Sequence, residues 1–462
     1  MTRSDERRGK TMNNTTDMTK GSPVRLILAF GTPLLFGNIL QQLYNFVDTV
    51  VVGRSLGMNA LAAVGTTGSI NFLVLGFVMG MAQGVSILVS QYFGAKDERK
   101  LRRSITMSAY LNVAVGLLTM IIATWASRIL LQWMNTPAEI LDMAVEYIHI
   151  IFLGTLVSLA YNFFSGILRA LGDARNPLIA MIIAFLINTV LDVWFVAGLR
   201  IGVAGAAYAT VMAQGVSAVY CFVCLKRIEL LHFEREDWKV DGRLFKRSLT
   251  LSLPVAVMNS ITAVGVMVLQ TAINGFGALY VAGYTAASKV IIILEQVSST
   301  FGFAASTYVG QNMGALEIGR IRKGVRQINV AVLLMNAACA LIMIVFGKAL
   351  MRLMVSQSEP DVVLVGYHCL VFLSCFLVAL GVLWVHRCSL QSMGDTFYPM
   401  LSGMLEFVSR IFFVWMLPRF FEFDGVLASE VSAWISAGLF LVIVFRYRIG
   451  HIDVQEQKME NA

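Results

Sequence analysis

Long apolar segments separated by short polar ones make up most of the chain. A membrane-spanning helix needs roughly 20 predominantly apolar residues, and twelve segments reach that length. We predict them at 24–52, 60–92, 104–127, 138–170, 176–198, 203–226, 246–275, 280–312, 325–347, 361–392, 398–420 and 425–446. The pattern therefore predicts an all-α membrane protein with twelve transmembrane helices.

The composition and the loop charges agree with this prediction. Only 14% of the 462 residues are charged, against about 25% in soluble domains. The net charge of +8 does not indicate nucleic-acid binding, because the basic residues are scattered through short loops between apolar segments. They concentrate in alternate loops, such as 96–103 and 320–326. By the positive-inside rule, we expect both termini and the central linker on the cytoplasmic side of the cytoplasmic membrane.

Polar segments mark the limits of the predicted domains. Residues 1–22 lack the apolar core of a secretory signal and are interpreted as a disordered cytoplasmic tail. An N-lobe of six helices (23–226), a solvated cytoplasmic linker (227–245), a C-lobe of six helices (246–447) and a cytoplasmic tail (448–462) follow.

The two halves of the chain repeat each other at an offset of about 220 residues. The segment QYFGAKDERKLRRS (91–104) matches QNMGALEIGRIRKG (311–324), and LRALGDARNP (168–177) matches LQSMGDTFYP (390–399). Six helices per repeat make both halves enter the bilayer in the same sense. This predicts two six-helix lobes related by a pseudo-twofold axis along the membrane normal, with substrate bound between them and alternating access.

One face of the first predicted helix is polar. Gln41, Tyr44, Asn45 and Asp48 lie at i, i+3, i+4 and i+7, so they form one stripe. A charged side chain at the bilayer centre costs roughly 2.5–3.5 kcal/mol on insertion scales. We therefore expect the stripe to line a water-accessible cavity, in preference to the alternative of hydrogen bonds that only hold helices together.

Two further helices of the first half carry polar residues at helical spacing. Asn188 and Asp192 are four residues apart in the fifth predicted helix, and Thr210 and Gln214 are four apart in the sixth. If these faces converge on that of Asp48, the N-lobe holds two carboxyl groups in one pocket. Burial and a neighbouring negative charge both disfavour the ionised form, so such a pair is suited to taking up and releasing protons in a coupled titration.

The repeat restricts this pair to one half. Asp48 corresponds to Leu269, Asp192 to Val414, and Asn188 to Arg410. A role in packing alone gives no reason for that asymmetry, so it favours a functional role.

The second half has embedded charges of its own. Glu406 and Arg410 are four apart, which favours an intrahelical ion pair. Glu295 has no local partner and is a candidate for attracting a cationic substrate. The predicted substrate-cavity residues are Gln41, Asn45, Gln214 and Glu295. No catalytic or metal-binding constellation is evident, since the Cys221/Cys224 pair lies in an apolar helix without further ligands.

Several of these stretches together resemble the MATE family of multidrug and toxic compound extrusion transporters, from about Pro23 to Arg446. They are PLLFGNILQQLYNFVDTVVVG, LVSQYFGAKD, GILRALGDARNP, INTVLDVWFVAG and YVGQNMGA. The resemblance implies twelve helices in two lobes and multidrug efflux, with antibiotic resistance as its outcome. It also implies export of organic cations by antiport against protons or sodium, with no other cofactor.

The resemblance also implies site residues. One prokaryotic branch carries Tyr and Asp in helix one, Asn and Asp in helix five, and Thr in helix six; Tyr44, Asp48, Asn188, Asp192 and Thr210 match these positions. A sodium-linked branch has acids in helices seven and ten, which this chain lacks. We therefore expect protons as the coupling ion, while sodium at the N-lobe pocket stays open because its oxygens could also ligate that ion.

The sequence favours two other functions less. A flippase for a lipid-linked precursor should line its cavity with several basic residues, whereas the predicted stripes are acidic or neutral apart from Arg387 and Arg410. An intramembrane enzyme is not favoured, because no HExxH or Ser–His arrangement is present. We expect a transporter that works as a monomer in contact with membrane lipid.

Overall fold

The computed structural model describes residues 15–354 and 359–460, and all regular secondary structure within these ranges is helical. The α-helices are α1 Pro23–Leu56, α2 Met58–Gly94, α3 Glu98–Trp133, α4 Ala138–Leu153, α5 Thr155–Ala170, α6 Arg175–Asp192, α7 Val203–Lys226, α8 Gly242–Asn274, α9 Ala278–Gly314, α10 Ile318–Met354, α11 Pro360–Ser392, α12 Phe397–Met416 and α13 Pro418–Glu460. A π-helical turn, Val193–Gly198, extends α6.

The predicted count of membrane spans is confirmed. Within the described ranges, eleven helices are long and apolar enough to cross a bilayer, and α4 with α5 forms a bent pair that brings the number to twelve. The prediction of one continuous helix over 138–170 was wrong, because α4 and α5 meet at 45° around Gly154. A Cβ on Gly154 would lie 2.4 Å from the side chain of Val211, so α7 packs against the backbone at the bend.

The chain divides into two compact units that cut across two helices. Among the described residues, unit 1 comprises 15–20 with Thr32–Ala256, and unit 2 comprises Gly21–Gly31 with 257–354 and 359–460. The first turns of α1 thus belong to unit 2, and the first turns of α8 belong to unit 1. The predicted lobes 23–226 and 246–447 differ from the units in this respect.

Glycines allow the first turns of α8 to pack closely within unit 1. A Cβ on Gly80 of α2 would lie 2.5 Å from the Cα of Ala256, and a Cβ on Gly84 would lie 2.3 Å from the Cα of Ser252. Small residues four apart are a common means of close helix contact in membranes. The backbones of α2 and α8 therefore touch along one full turn.

The central linker is docked on α3 more firmly than a solvated connector would be. Its two 3₁₀ turns are Glu229–Leu231 and Arg235–Trp238. Asp237 is 2% exposed and accepts hydrogen bonds from Arg102 Nε at 2.9 Å and from the Glu234 N–H at 3.0 Å. The linker is also shorter than predicted, because α8 begins at Gly242.

The segment that precedes α3 is held by a helix cap outside the membrane. The carboxylate of Asp97 accepts a hydrogen bond from the N–H of Lys100 at 3.0 Å, and this bond holds the pKa of Asp97 below its ordinary value. Such a cap satisfies one of the free N–H groups at the start of a helix.

The predicted tails are only partly described. The N–H of Thr16 donates to the carbonyl of Leu171 at 3.2 Å, so the chain at Thr16 packs on the turn after α5, and Met18 is fully buried. Residues 1–14 of the predicted disordered tail lie outside the described residues. Helix α13 runs on to Glu460, through most of the segment predicted as a C-terminal tail.

Candidate functional site

The two carboxyl groups that the sequence singles out lie together in unit 1. Helix α1 supplies Tyr44 and Asp48, which are 8% and 9% exposed, and α6 supplies Asn188 and Asp192, which are fully buried. The Asp48 carboxyl group adjoins that of Asp192, and Asn188, one turn before Asp192, approaches it from the same helix. Two acids from helices far apart in sequence therefore share one buried pocket.

Two more helices complete the pocket. Thr210 of α7 adjoins the hydroxyl of Tyr44. Tyr147 of α4 is buried and lies within electrostatic reach of Asp48, Tyr44 and Asp192. Tyr147 was missed by the sequence analysis, and the only signal for it was a tyrosine inside an apolar helix.

Six buried polar atoms of this cluster lack hydrogen bonds to the described residues. Those without a partner are Tyr44 Oη, Asp48 Oδ1, both amide atoms of Asn188 and both carboxylate oxygens of Asp192. A buried polar atom left unpaired costs about 1–3 kcal/mol, so six in one place are expensive as packing. Such an arrangement is suited to receiving a proton or a small cation. The π-helical turn follows directly after Asp192, and such turns occur frequently at functional sites.

The predicted stripe on α1 divides into two parts. Tyr44 and Asp48 point into the buried cluster, whereas Gln41 and Asn45 are exposed on the surface of unit 1. Gln214, a further candidate for the substrate cavity, is partly buried and accepts a hydrogen bond from the hydroxyl of Ser158. The substrate contacts of these three residues stay predictions.

Unit 2 holds a different arrangement around Arg410, the counterpart of Asn188. Arg410 is 1% exposed and donates from Nη2 to Glu406 Oε1 at 3.1 Å and from Nε to Glu430 Oε2 at 2.7 Å. Arg387 donates to Glu406 Oε2 at 2.7 Å. The predicted pair of Glu406 and Arg410 is therefore part of a four-membered ion network, whose other members come from α11 and α13.

Glu295 lies on α9, partly buried and within electrostatic reach of Glu430, Arg410 and Glu406. Leu269, the counterpart of Asp48, is buried. Unit 2 therefore has no equivalent of the Asp48–Asp192 pair at those positions.

Twelve apolar spans in two repeated sets, with an acidic pocket buried inside one set, define a polytopic membrane transporter. The chain belongs to the MatE family, whose model matches residues 33–194 and again 254–416. The two matched segments begin at Pro33 and Pro254, which correspond to each other in the internal repeat.

Individual relatives cover most of the chain. It is 29% identical over 400 residues to a probable multidrug resistance protein, YpnP, of Bacillus subtilis, covering 85% of this chain and 87% of that protein. It is 23% identical to a probable multidrug resistance protein, NorM, of Thermotoga maritima, with 91% and 89% covered. A solved outward-facing multidrug resistance MATE family transporter has the same fold, with a TM-score of 0.88 at 23% identity over 95% of this chain and 99% of that one.

Proposed function

We propose that the protein is a multidrug efflux antiporter, which exports organic cations across the cytoplasmic membrane in exchange for protons. The observation that carries this proposal is the pair of adjoining carboxyl groups, Asp48 and Asp192, buried among polar atoms that have no hydrogen-bond partner. Membership of the MatE family and similarity to probable multidrug resistance proteins support the substrate class.

The coupling step follows from electrostatics at the carboxyl pair. Two adjacent carboxylates repel each other, and this repulsion is strong where little water is present. Protonation removes it and lets α1 and α6 pack differently. We propose that this change lowers the affinity for a bound cation, which leaves outward, and that the protons are then released to the cytoplasm during alternating access of the two lobes.

Asn188, Tyr44 and Thr210 act on the same pair in this proposal. Each can donate a hydrogen bond to a carboxylate or accept one from a carboxylic acid. Each can therefore adapt to either protonation state of the pair. Tyr147 joins them as a fourth neutral group beside the acids.

Sodium coupling at the same carboxyl pair is the second candidate. It is favoured by the oxygen atoms without partners on Tyr44, Asp48, Asn188 and Asp192, since a hard cation prefers oxygen ligands. The proton is preferred because a buried acid pair changes its protonation readily, whereas sodium requires a complete set of ligands.

A flippase for an anionic lipid precursor is not supported by the arginines. Arg387 and Arg410 are both bound to glutamates, so their charge is already compensated and a pyrophosphate group would have to displace an internal ion pair. The distribution of basic loops supports a cytoplasmic location of both termini.

The proposal is tested by replacing one aspartate of the pair with asparagine, a neutral side chain of nearly the same size. In cells that lack their own efflux pumps, Asp48→Asn should abolish resistance to a cationic dye such as ethidium, because the pair can no longer be ionised at both positions. Asp192→Asn should have the same effect. Both variants should be inserted in the membrane at wild-type amounts, since the substitution removes a buried charge and not a packing contact.

The matched control is Glu139→Gln, because Glu139 is an exposed carboxylate at the start of α4. It should retain wild-type resistance. Resistance that survives in Asp48→Asn at equal expression would refute the central role of the pair.

A further inference from the structure

A groove of about 550 Å³ lies between α3 and α4 on the surface of unit 1. Its apolar lining consists of Met120, Ile121, Trp125, Val145 and Leu153. The groove-lining residues of α4 are four apart and therefore share one face of that helix. Tyr147, which belongs to the carboxyl pocket, is two residues from Val145 and lies on the opposite face of α4. The groove is thus separate from the carboxyl pocket.

The groove follows the membrane-spanning parts of both helices and opens to lipid. Ile121 and Trp125 are apolar residues of a predicted span, and they are 61% and 77% exposed. Helix α3 ends at Trp133, which is also exposed, and tryptophan is enriched where a membrane meets water. The end of the groove at Arg128 is therefore level with the lipid headgroups, and the end at Met120 lies about 12 Å deeper.

Two opposite charges lie side by side at the shallow end of the groove. Arg128 Nη2 donates to Asp142 Oδ1 at 3.0 Å, and both side chains are more than half exposed. An exposed ion pair contributes little to stability, so both groups can take a further partner. Glu146, one turn further along α4, is exposed as well. This end of the groove is therefore more acidic than basic.

Polar groups also lie deeper in the groove, among the apolar side chains. His149 lines the groove and is partly buried, and its imidazole has no hydrogen bond to any residue that the structure describes. The hydroxyl of Thr124 likewise has no partner. His149 is seven residues beyond Asp142, which places it about 10 Å deeper. A polar group in an apolar span needs a partner, so the groove suits a ligand with polar atoms below its charged end.

A phospholipid with an ethanolamine headgroup presents matching groups in the same order. Its phosphate can accept hydrogen bonds from Arg128, and its ammonium group can donate to Asp142. Bonds between charged groups of this kind are the stronger ones. The ester carbonyls come next and can accept from His149, and an acyl chain can follow the apolar lining. A choline headgroup has no N–H to donate, and a glycerol headgroup has no positive charge to offer the acids.

We infer that this groove is a binding site for phosphatidylethanolamine, in which Arg128 and Asp142 hold the headgroup and His149 holds the ester region. The site specifies one headgroup, which general contact with membrane lipid does not. By the topology proposed above, it lies in the outer leaflet. The bound lipid packs behind the part of α4 that carries Tyr147, and its binding does not depend on the proposed transport mechanism.

Native mass spectrometry of the delipidated full-length protein tests this inference, because it resolves the lipids that stay bound. The probes are the dioleoyl forms of phosphatidylethanolamine, phosphatidylcholine and phosphatidylglycerol. Wild type should bind the first about tenfold more tightly than the other two. Asp142→Asn should shift the preference to phosphatidylglycerol, because Arg128 then lacks its acid. Arg128→Gln should weaken all three, since each has a phosphate.

Two further variants complete the comparison. His149→Leu should weaken all three lipids without changing their order, since each has ester carbonyls. Arg200→Gln replaces another exposed arginine of unit 1 that lies outside the groove, and it should match wild type. Thermal unfolding of each variant checks that it is folded.

Three outcomes would overturn the inference. Equal affinity of wild type for the three lipids would mean that lipid only coats the surface. A preference of wild type for phosphatidylglycerol would mean that negative charge alone is recognised. A preference for phosphatidylethanolamine that survives in both Asp142→Asn and Arg128→Gln would place the lipid elsewhere. Because binding is measured without transport, a failure of proton-coupled efflux would leave the expected pattern unchanged.

Discussion

At the scale of single residues, the two units differ in whether their buried charged groups have partners of opposite charge. In unit 1, Asp48 and Asp192 adjoin each other without a cationic partner among the described residues. In unit 2, every guanidinium of the Arg387–Arg410 network is bound to a carboxylate. Breaking a buried ion pair by removing one partner strongly destabilises a protein, because it leaves the other charge uncompensated. Removing one of two like charges does not have this cost.

We therefore predict opposite effects of charge removal on stability. Arg410→Gln should lower the stability of the purified protein by about 3 kcal/mol, because Glu406 and Glu430 lose a shared partner. Asp48→Asn should leave the unfolding temperature in detergent unchanged or raise it. Thermal unfolding of both variants and of the wild-type protein measures these two changes in stability. An Arg410→Gln variant as stable as wild type would show that the network is not needed for folding.

At the scale of elements, close backbone contacts fix where α8 begins. Gly80 and Gly84 present a smooth face of α2 to Ser252 and Ala256. Backbone cannot move aside as a flexible side chain can, so even one added methyl group at these positions must separate the helices.

Substituting two glycines of α2 by alanine should affect the unfolding temperature differently. Gly84→Ala should lower the unfolding temperature, because its Cβ would lie 2.3 Å from the Cα of Ser252. Gly68→Ala should leave it unchanged or raise it, since nothing lies within 4 Å of a Cβ there and alanine favours the helix over glycine. If both variants shifted in the same direction, the close contact of α2 with α8 would be refuted.

The positions of the helices could be predicted from the sequence, whereas the contacts between helices could not. Hydrophobic length located the twelve spans, because a bilayer demands long apolar runs. Helices α3 and α10 extend six or seven residues beyond the predicted bounds at each end, since helical structure continues past the apolar core. The break at Gly154 was not predicted, since it depends on Val211 of α7 and not on local composition. The contacts of Gly80 and Gly84 were missed for a similar reason, because their partners lie more than 160 residues away in the chain.

In the candidate site, residues on one helix could be grouped from the sequence, whereas residues brought together from different helices could not. Helical spacing grouped Tyr44 with Asp48 and Asn188 with Asp192, and the resemblance to a family added Thr210. Tyr147 carries no periodic signal of its own. The partners of Arg410 on α13 and α11 could not be read from spacing along one helix, although its pairing with Glu406 could.

At the scale of the whole molecule, the two similar sets of helices differ in the acidic and basic groups that they bury. The carboxyl pair occurs in the first set, and the ion network of Arg387, Glu406, Arg410 and Glu430 occurs in the second. An antiporter must prevent cation and proton from moving independently, and distinct binding groups linked by one conformational change achieve this when each ligand favours a different state. The central claim is that the ion bound at Asp48 and Asp192 is a proton.

The most direct test measures proton movement during transport. Purified protein is placed in vesicles with an acidic lumen and a pH-sensitive dye inside, in buffer free of sodium, with protein-free vesicles as the blank. Addition of ethidium should raise the lumenal pH as the dye enters, because each cation exchanges for protons, and Asp48→Asn should show neither signal. Ethidium uptake that needs a sodium gradient and leaves the lumenal pH unchanged would contradict the account.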